Sequence, residues 1–98
     1  MKVKPNQKIL FYDGSPLKDP NGNEIFVKDA VINAVNTMKE GKEMPGTDKS
    51  LAFQISVKMY DKEEEVDLDI KEISFILTKA EESLVPLVYG RLKELFDK

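Results

Sequence analysis

Histidine, cysteine and tryptophan are all missing from this chain of 98 residues. Without histidine, the chain lacks the side chain that most often moves protons near neutral pH and binds transition metals. Without cysteine, it can form no disulfide and has no thiolate, which fits a reducing compartment such as the cytoplasm. We therefore expect no metal and no cofactor, and the composition disfavours an enzyme.

Long apolar runs are missing as well. No stretch approaches the roughly 18 apolar residues that a membrane-spanning helix needs. The first eight residues are basic and polar, unlike the start of a secretory signal peptide. The apolar fraction of 41% is ordinary for a folded protein. We expect residues 1–98 to form a single domain with a modest core and no contact with a membrane.

Charge is distributed unevenly along the chain, whose net charge is −3. Residues 1–60 carry nine lysines against seven acidic residues, whereas residues 61–98 carry six basic against eleven acidic residues. Domains that bind nucleic acid usually present a face rich in lysine and arginine, so this distribution disfavours such a partner. One alternative stays open, in which the basic N-terminal arm binds nucleic acid through Lys2, Lys4 and Lys8, together with Lys18 and Lys28.

The N-terminal part predicts a β-hairpin over residues 8–27. A short stretch of β-favouring residues leads to a bend at Gly14, and the sequence DPNGN at residues 19–23 is a concentrated turn signal. Because an isolated hairpin is only marginally stable in water, this one must pack against helices. Its aromatic residues, which could belong to the packed face or to a binding surface, are Phe11, Tyr12 and Phe26.

Residues 28–98 predict a helical part of three or four helices, which makes the fold class α+β. Apolar residues at spacings of three and four predict a first helix over residues 28–39, ended by Gly41. Residues 48–60 fit two patterns. Apolar and polar residues alternate as in a strand, yet the apolar residues also line one side of a helix capped by Thr47. We favour the helix and keep the strand as an alternative.

Two further helices are expected in the C-terminal part. Asp69 and Glu72 have the spacing of a capping box and predict a helix over about residues 70–82. Pro86 suits a first helical position and predicts the start of the last helix. Gly90 lies in the middle of that helix, where glycine costs about 1 kcal/mol relative to alanine. Its presence there indicates close approach of another element.

Three segments resemble small proteins encoded by tailed bacteriophages and prophages. They are VDLDIKEI at residues 66–73, VPLVYGR at residues 85–91 and, more weakly, DGSPLKD at residues 13–19. One departure is the entry to the first helix at Phe26, which has no Ser or Thr cap. All three segments are folding signals, so the resemblance implies a shared fold more than a shared activity. It also implies a location in the cytoplasm of a bacterial host cell and partners among phage or host proteins.

No motif for catalysis or metal binding is complete. The DPNGN segment resembles the start of a calcium loop, but the positions that require Gly and Glu hold Glu24 and Ala30. The serines are not set in a GxSxG elbow, and the five glycines do not cluster into a phosphate-binding loop. The acidic residues between positions 61 and 72 would be either a solvated connector or a docking surface.

The hypothesis that remains is a non-enzymatic protein–protein interaction module, either a virion accessory or assembly factor or an inhibitor of a host protein. Aromatic residues and arginine are enriched at interface hot spots, and acidic residues can steer a basic partner. The candidate contact residues are Tyr12, Tyr89, Arg91, Glu63, Glu64 and Glu65. A homodimer and a self-assembling structural subunit are further alternatives.

Overall fold

The computed structural model describes residues 1–37, 44–60 and 64–97. In these residues, four helices follow one another along the chain. They are α1 (Val27–Asn36), α2 (Gly46–Tyr60), α3 (Ile70–Ser83) and α4 (Pro86–Phe96). The expected α+β class is confirmed, with helices as the larger component, and the last helix begins at the predicted proline.

A short antiparallel sheet joins the N-terminus to the segment before α3. Strand β1 (Lys2–Val3) pairs with strand β2 (Val66–Asp67), with Val3 opposite Val66. Both valines are buried in the core. The sheet therefore fixes the first residues of the chain to the segment that precedes α3.

Residues 8–27 form a more compact arrangement than the long hairpin expected from the sequence. Three isolated antiparallel bridges are found there among the described residues: Lys8 with Phe26, Leu10 with Pro16, and Lys18 with Glu24. Three backbone hydrogen bonds of 2.9 to 3.0 Å form a closed ring. The Ile9 N–H donates to the Ile25 carbonyl, the Ile25 N–H donates to the Leu17 carbonyl, and the Leu17 N–H donates to the Ile9 carbonyl. Since each segment pairs with both of the others around this closed ring, none extends into a long strand.

The turns of this segment lie where the sequence indicated them. Gly14 and Gly22 have φ values of +88° and +87°, in the left-handed region that glycine enters without steric strain. In the second turn, the Asp19 carboxylate accepts hydrogen bonds from the N–H groups of Asn21 and Asn23, each at 2.9 Å. This local bonding is what makes aspartate a strong turn residue.

The start of α1 is stabilised by the third residue of the helix instead of by its cap. The N–H of Phe26, at the cap position, donates to Asp29 Oδ2 at 3.0 Å. The carboxylate also complements the positive end of the helix dipole. The helix ends at Asn36, before the predicted residue 39, and the predicted terminator Gly41 lies outside the described residues.

Helix α2 confirms the helical alternative for its segment, and the strand alternative is wrong. The helix begins at Gly46, so Thr47 lies inside the first turn and not at the predicted cap position. Ala52, Ile55 and Met59 are buried. These three residues form the face of α2 that packs into the core.

Helix α1 lies at the centre of the helical part, because it packs against both α2 and α3, while α3 packs against α4. The side chains with no exposed surface come from all four helices and from the segment before α3. They are Val31, Ala34, Val35, Ile55, Met59, Leu68, Ile76, Ala80 and Leu92. Helix α2 therefore lies at the edge of the bundle, with one side against α1.

Gly90 does not mark a close approach of another element, contrary to the expectation from the sequence. Outside its own helical turn, no heavy atom of the described structure lies within 4 Å of the position that a Cβ would occupy. The residue lies inside α4. It therefore carries the entropic cost of a helical glycine without a compensating contact.

We expect Gly90→Ala to raise the free energy of unfolding by up to about 1 kcal/mol, because alanine loses less backbone entropy and its methyl group enters open space. Gly14→Ala and Gly22→Ala should lower it, since both positions have positive φ. Urea denaturation followed by circular dichroism measures all three variants. A destabilised Gly90→Ala would contradict the open geometry at this position.

Candidate functional site

An exposed apolar row lies along the outer side of α2. Phe53, Val57 and Tyr60 are separated by four and three residues, which places them on one face of the helix. Their exposed fractions are 71%, 52% and 78%. We call these three residues the α2 row. Single exposed apolar residues are ordinary on protein surfaces, whereas a contiguous group is typical of a binding surface.

The sequence around the α2 row carries little charge. Charged residues make up 34% of the chain, yet Lys58 is the one charged residue between Ser50 and Tyr60. Its Nζ lies 2.9 Å from a carboxylate oxygen of Glu72, so its charge is compensated within the fold. Few charges combined with exposed aromatic rings is the composition found at the centre of protein interfaces.

Opposite charges flank the α2 row at its two ends. Lys49 is exposed near the start of α2 on the same side as Phe53, whereas Asp48 in the same turn lies about 140° around the helix from Phe53. Glu64 and Glu65 are exposed beyond the C-terminal end of α2. We call Glu64 and Glu65 the acidic segment. The Nζ of Lys58 donates to the carbonyl of Asp67 at 3.2 Å, and this bond keeps the acidic segment beside the last turns of α2. The helix dipole adds to this polarity, because its N-terminal end is also positive.

A buried carboxylate fixes the rotation of α2 about its own axis. Glu72 is only 1% exposed. Its two oxygens accept hydrogen bonds from Gln54 Nε2 at 3.0 Å, Lys58 Nζ at 2.9 Å and the Asp69 N–H at 3.0 Å. Asp69 in turn accepts from the Glu72 N–H at 2.7 Å, which confirms the expected capping box. Gln54 and Lys58 therefore face the start of α3.

The same contacts determine the charge state of Glu72. Burial raises the pKa of a carboxyl, because the carboxylate loses its hydration. Here the hydrogen bonds from the Asp69 N–H, Lys58 and Gln54, together with the charge of Lys58, outweigh burial and hold the pKa of Glu72 below its ordinary value of 4.5. Glu72 is thus ionised at neutral pH, the state in which it links α2 to α3.

Arg91, one of the predicted contact residues, is used within the fold. Its Nε donates to the Leu10 carbonyl at 2.9 Å, and its Nη2 donates to the Phe11 carbonyl at 2.7 Å. The chain's one arginine thereby anchors the first turn of the N-terminal segment to α4. Tyr12, another predicted contact, follows this anchor and is 72% exposed, with its ring edge-to-face on Phe11. This pair is exposed instead of packing against the helices.

The other predicted contact residues lie in different places. Tyr89 is half-buried and packs against the core. Glu64 and Glu65 are exposed beside the C-terminal end of α2, and Glu63 lies outside the described residues. The described members of the predicted set are therefore divided between the N-terminal turn, α4 and the acidic segment, and only the acidic segment adjoins the α2 row.

Sequence reasoning did not predict the exposed α2 row, although the sequence contained a signal for it. Residues 48–60 fit a strand as well as a helix because they hold more apolar residues than one buried helix face needs. The surplus residues are Phe53, Val57 and Tyr60. Once the segment is known to be a helix, such an apolar surplus indicates a second apolar face.

Metal-binding groups and unsatisfied buried polar atoms are missing from the part of the chain that the structure describes. There, no three acidic, histidine or cysteine side chains come together as a metal-binding group. Every buried side-chain nitrogen or oxygen in the same residues has a hydrogen-bond partner. None of the helices described combines the length and apolar character needed to cross a bilayer.

No protein-family model matches the chain, and no curated protein or solved structure has significant similarity to it. The resemblance to phage and prophage proteins therefore stays a prediction. Function has to be argued from the surface of the molecule itself, on which the α2 row is a group of three exposed apolar residues on one helix face.

We expect Glu72→Gln to lower the free energy of unfolding at neutral pH by about 1.5–3 kcal/mol, the range for hydrogen bonds to a charged group. The pKa of Glu72 is lower in the folded protein than in the unfolded chain. Its contribution is therefore complete above the unfolded-state pKa and is lost as the pH falls through the folded-state pKa.

The difference in stability between the natural protein and Glu72→Gln should thus shrink as the pH falls below 4.5. Urea denaturation at neutral and acid pH measures it. As a control, Glu64→Gln changes an exposed carboxylate and should alter stability by less than about 0.5 kcal/mol. An equal loss for Glu72→Gln at both pH values would contradict the role of the charged form.

We expect Arg91→Lys to loosen the first turn of the N-terminal segment, because an ammonium group cannot donate to two carbonyls with the fixed fork of a guanidinium. Loss of about 1 kcal/mol of hydrogen bonding corresponds to roughly fivefold faster exchange of the Phe11 amide, whose N–H bonds to the Ser15 carbonyl. Hydrogen exchange followed by NMR measures it. The exposed Lys93→Ala on the same helix is the control and should leave this rate unchanged.

Proposed function

We propose that this protein is a non-catalytic protein–protein interaction module and that the α2 row is its main contact surface. The observation that carries the proposal is the exposure of Phe53, Val57 and Tyr60 on one helix face. Apolar side chains left in water contribute little to folding, whereas their burial against another molecule is favourable. The predicted phage or prophage setting would make that molecule a protein of the phage or of its host.

The form of the surface supports this proposal. The α2 row belongs to a regular helix that is held by its buried residues on one side and by Glu72 on another. A rigid surface loses little conformational entropy when a partner binds. Exposed aromatic side chains on such a helix are the kind of anchor that dominates the energy of many interfaces.

The basic N-terminal arm offers less free positive charge to a nucleic acid than its sequence indicates. Lys8 forms an ion pair with Glu24, with Nζ and carboxylate oxygen 2.9 Å apart. This pair reduces the positive charge that the arm could offer to phosphates, on which affinity for nucleic acid depends. We therefore retain the interaction module as the proposed function.

A photo-reactive phenylalanine analogue in place of Phe53 tests the proposal in cells that produce the protein. On irradiation we expect a covalent adduct of one discrete mass, whose second component is identified by mass spectrometry. Tyr60→Ser should abolish the adduct. Tyr12→Ser, which removes a tyrosine of similar exposure from another part of the surface, should leave it unchanged.

Both tyrosine variants should keep the stability of the natural protein to within about 0.5 kcal/mol, since the side chains that they remove are exposed. This separates loss of binding from loss of folding. Irradiation that gives no discrete adduct, or an adduct that survives Tyr60→Ser, would overturn the assignment of the α2 row as the contact surface.

A further inference from the structure

We infer that the partner that fits the α2 row is a second copy of this chain, bound by antiparallel pairing of the two α2 helices about a two-fold axis near Val57. The inference rests on the proposed function and deepens it by naming the partner. In such a dimer both copies use the same surface, so the surface must be complementary to itself.

The side chains of the α2 row are arranged for this symmetry. Phe53 and Tyr60 lie on either side of Val57, about 6 Å and 4.5 Å away along the helix axis at 1.5 Å per residue. In an antiparallel pair, Phe53 of each copy meets Tyr60 of the other, and the two Val57 side chains meet at the axis. The small central residue allows the helices to approach closely, while the aromatic rings fill the space on both sides.

The flanking charges favour the antiparallel orientation. Lys49 lies at one end of the α2 row, and Glu64 and Glu65 lie beside the other end. Antiparallel pairing brings Lys49 of each copy toward the acidic segment of the other, and it also opposes the two helix dipoles. A parallel pair would place like charges together at both ends. A partner of uniform charge would satisfy only one end.

The size of the surface sets the expected strength of the dimer. Because 71% of Phe53 and 78% of Tyr60 are exposed in the single chain, four aromatic rings, two from each copy, can bury on the order of 450–750 Å². This is less than the ~1,600 Å² of a standard stable interface, so the pairing belongs among weak, reversible interfaces. We expect a dissociation constant between about micromolar and about millimolar, with a folded monomer on dilution. The complete core of the single chain is consistent with a stable monomer.

Sedimentation velocity from about 1 μM to about 1 mM tests the inference. The mass should rise with concentration from the 11.2 kDa of one chain toward twice that value. Val57→Lys places two like charges at the axis and should weaken association at least about tenfold. Tyr60→Ser should also weaken association. Because Tyr60 is exposed, this variant tests the interface even if Val57→Lys folds poorly. Tyr12→Ser should have no effect.

Charge reversal tests the orientation of the pair. Lys49→Glu should weaken association, because it places a carboxylate near the acidic segment of the other copy. Adding Glu64→Lys and Glu65→Lys to the same chain should restore association, since the attraction is then reversed and not removed. Restoration in the combined variant is expected only if Lys49 meets these residues across the interface, so its failure would overturn the antiparallel arrangement.

The absence of cysteine from the chain allows a geometric test by single substitutions. A disulfide requires Cα atoms within about 7 Å of each other. Val57→Cys, at the axis, should form a linked dimer under mild oxidation. Lys49→Cys should not, because the two positions would be separated by roughly 24 Å along the paired helices. Efficient linkage at position 49 would indicate parallel helices and overturn the arrangement.

The outcomes separate this inference from the proposed function. A chain that stays monomeric at every concentration overturns the homodimer, as does a dimer that is insensitive to both Val57→Lys and Tyr60→Ser. If a photo-adduct at position 53 then contains a different protein, the interaction module stands and its partner is not a second copy. If no adduct forms either, both proposals fail.

Discussion

The Glu72 carboxylate determines how α2 is rotated in the fold, and the exposure of the α2 row follows from that rotation. A charge with 1% exposure is tolerated only where donors replace its hydration, since an unpaired buried charge costs several kcal/mol. Gln54 and Lys58, one turn apart on α2, supply two of these donors. With one side of α2 bonded to Glu72 and the next packed in the core, the side that carries the α2 row faces outward.

The N-terminal segment depends on contacts with residues far along the chain. Strand β1 pairs with β2, which lies more than 60 residues later, and Arg91 bonds to carbonyls 80 and 81 residues before it. The ring of bonds among Ile9, Leu17 and Ile25 is short, and isolated β-structure of this size is marginal in water. Its order therefore comes from the helices against which it is held.

Local signals could be predicted from the sequence, and long-range partners could not. The capping box of Asp69 and Glu72, the turns at the two positive-φ glycines and the start of α4 each depend on neighbours within a few residues. The burial of Glu72 depends on Gln54 and Lys58, which are 18 and 14 residues away. The expected hairpin was too long for the same reason, because the register of three segments is decided by their packing. The expectation that another element approaches Gly90 was wrong, because the sequence alone does not show whether the space beside a helical glycine is filled.

The ambiguity of residues 48–60 has a physical origin that bears on function. Periodicity counts apolar residues, but it does not distinguish those buried within one chain from those that another molecule would cover. Ala52 and Ile55 are buried and stabilise the fold. Phe53, directly after Ala52, and Val57, two residues after Ile55, lie outside the core. A helix that takes part in both folding and association needs two apolar faces. The apolar residues of two such faces, taken together, come close to the alternating pattern of a strand. The pattern that obscured the secondary structure is therefore the pattern expected of a helix that folds on one side and associates on the other.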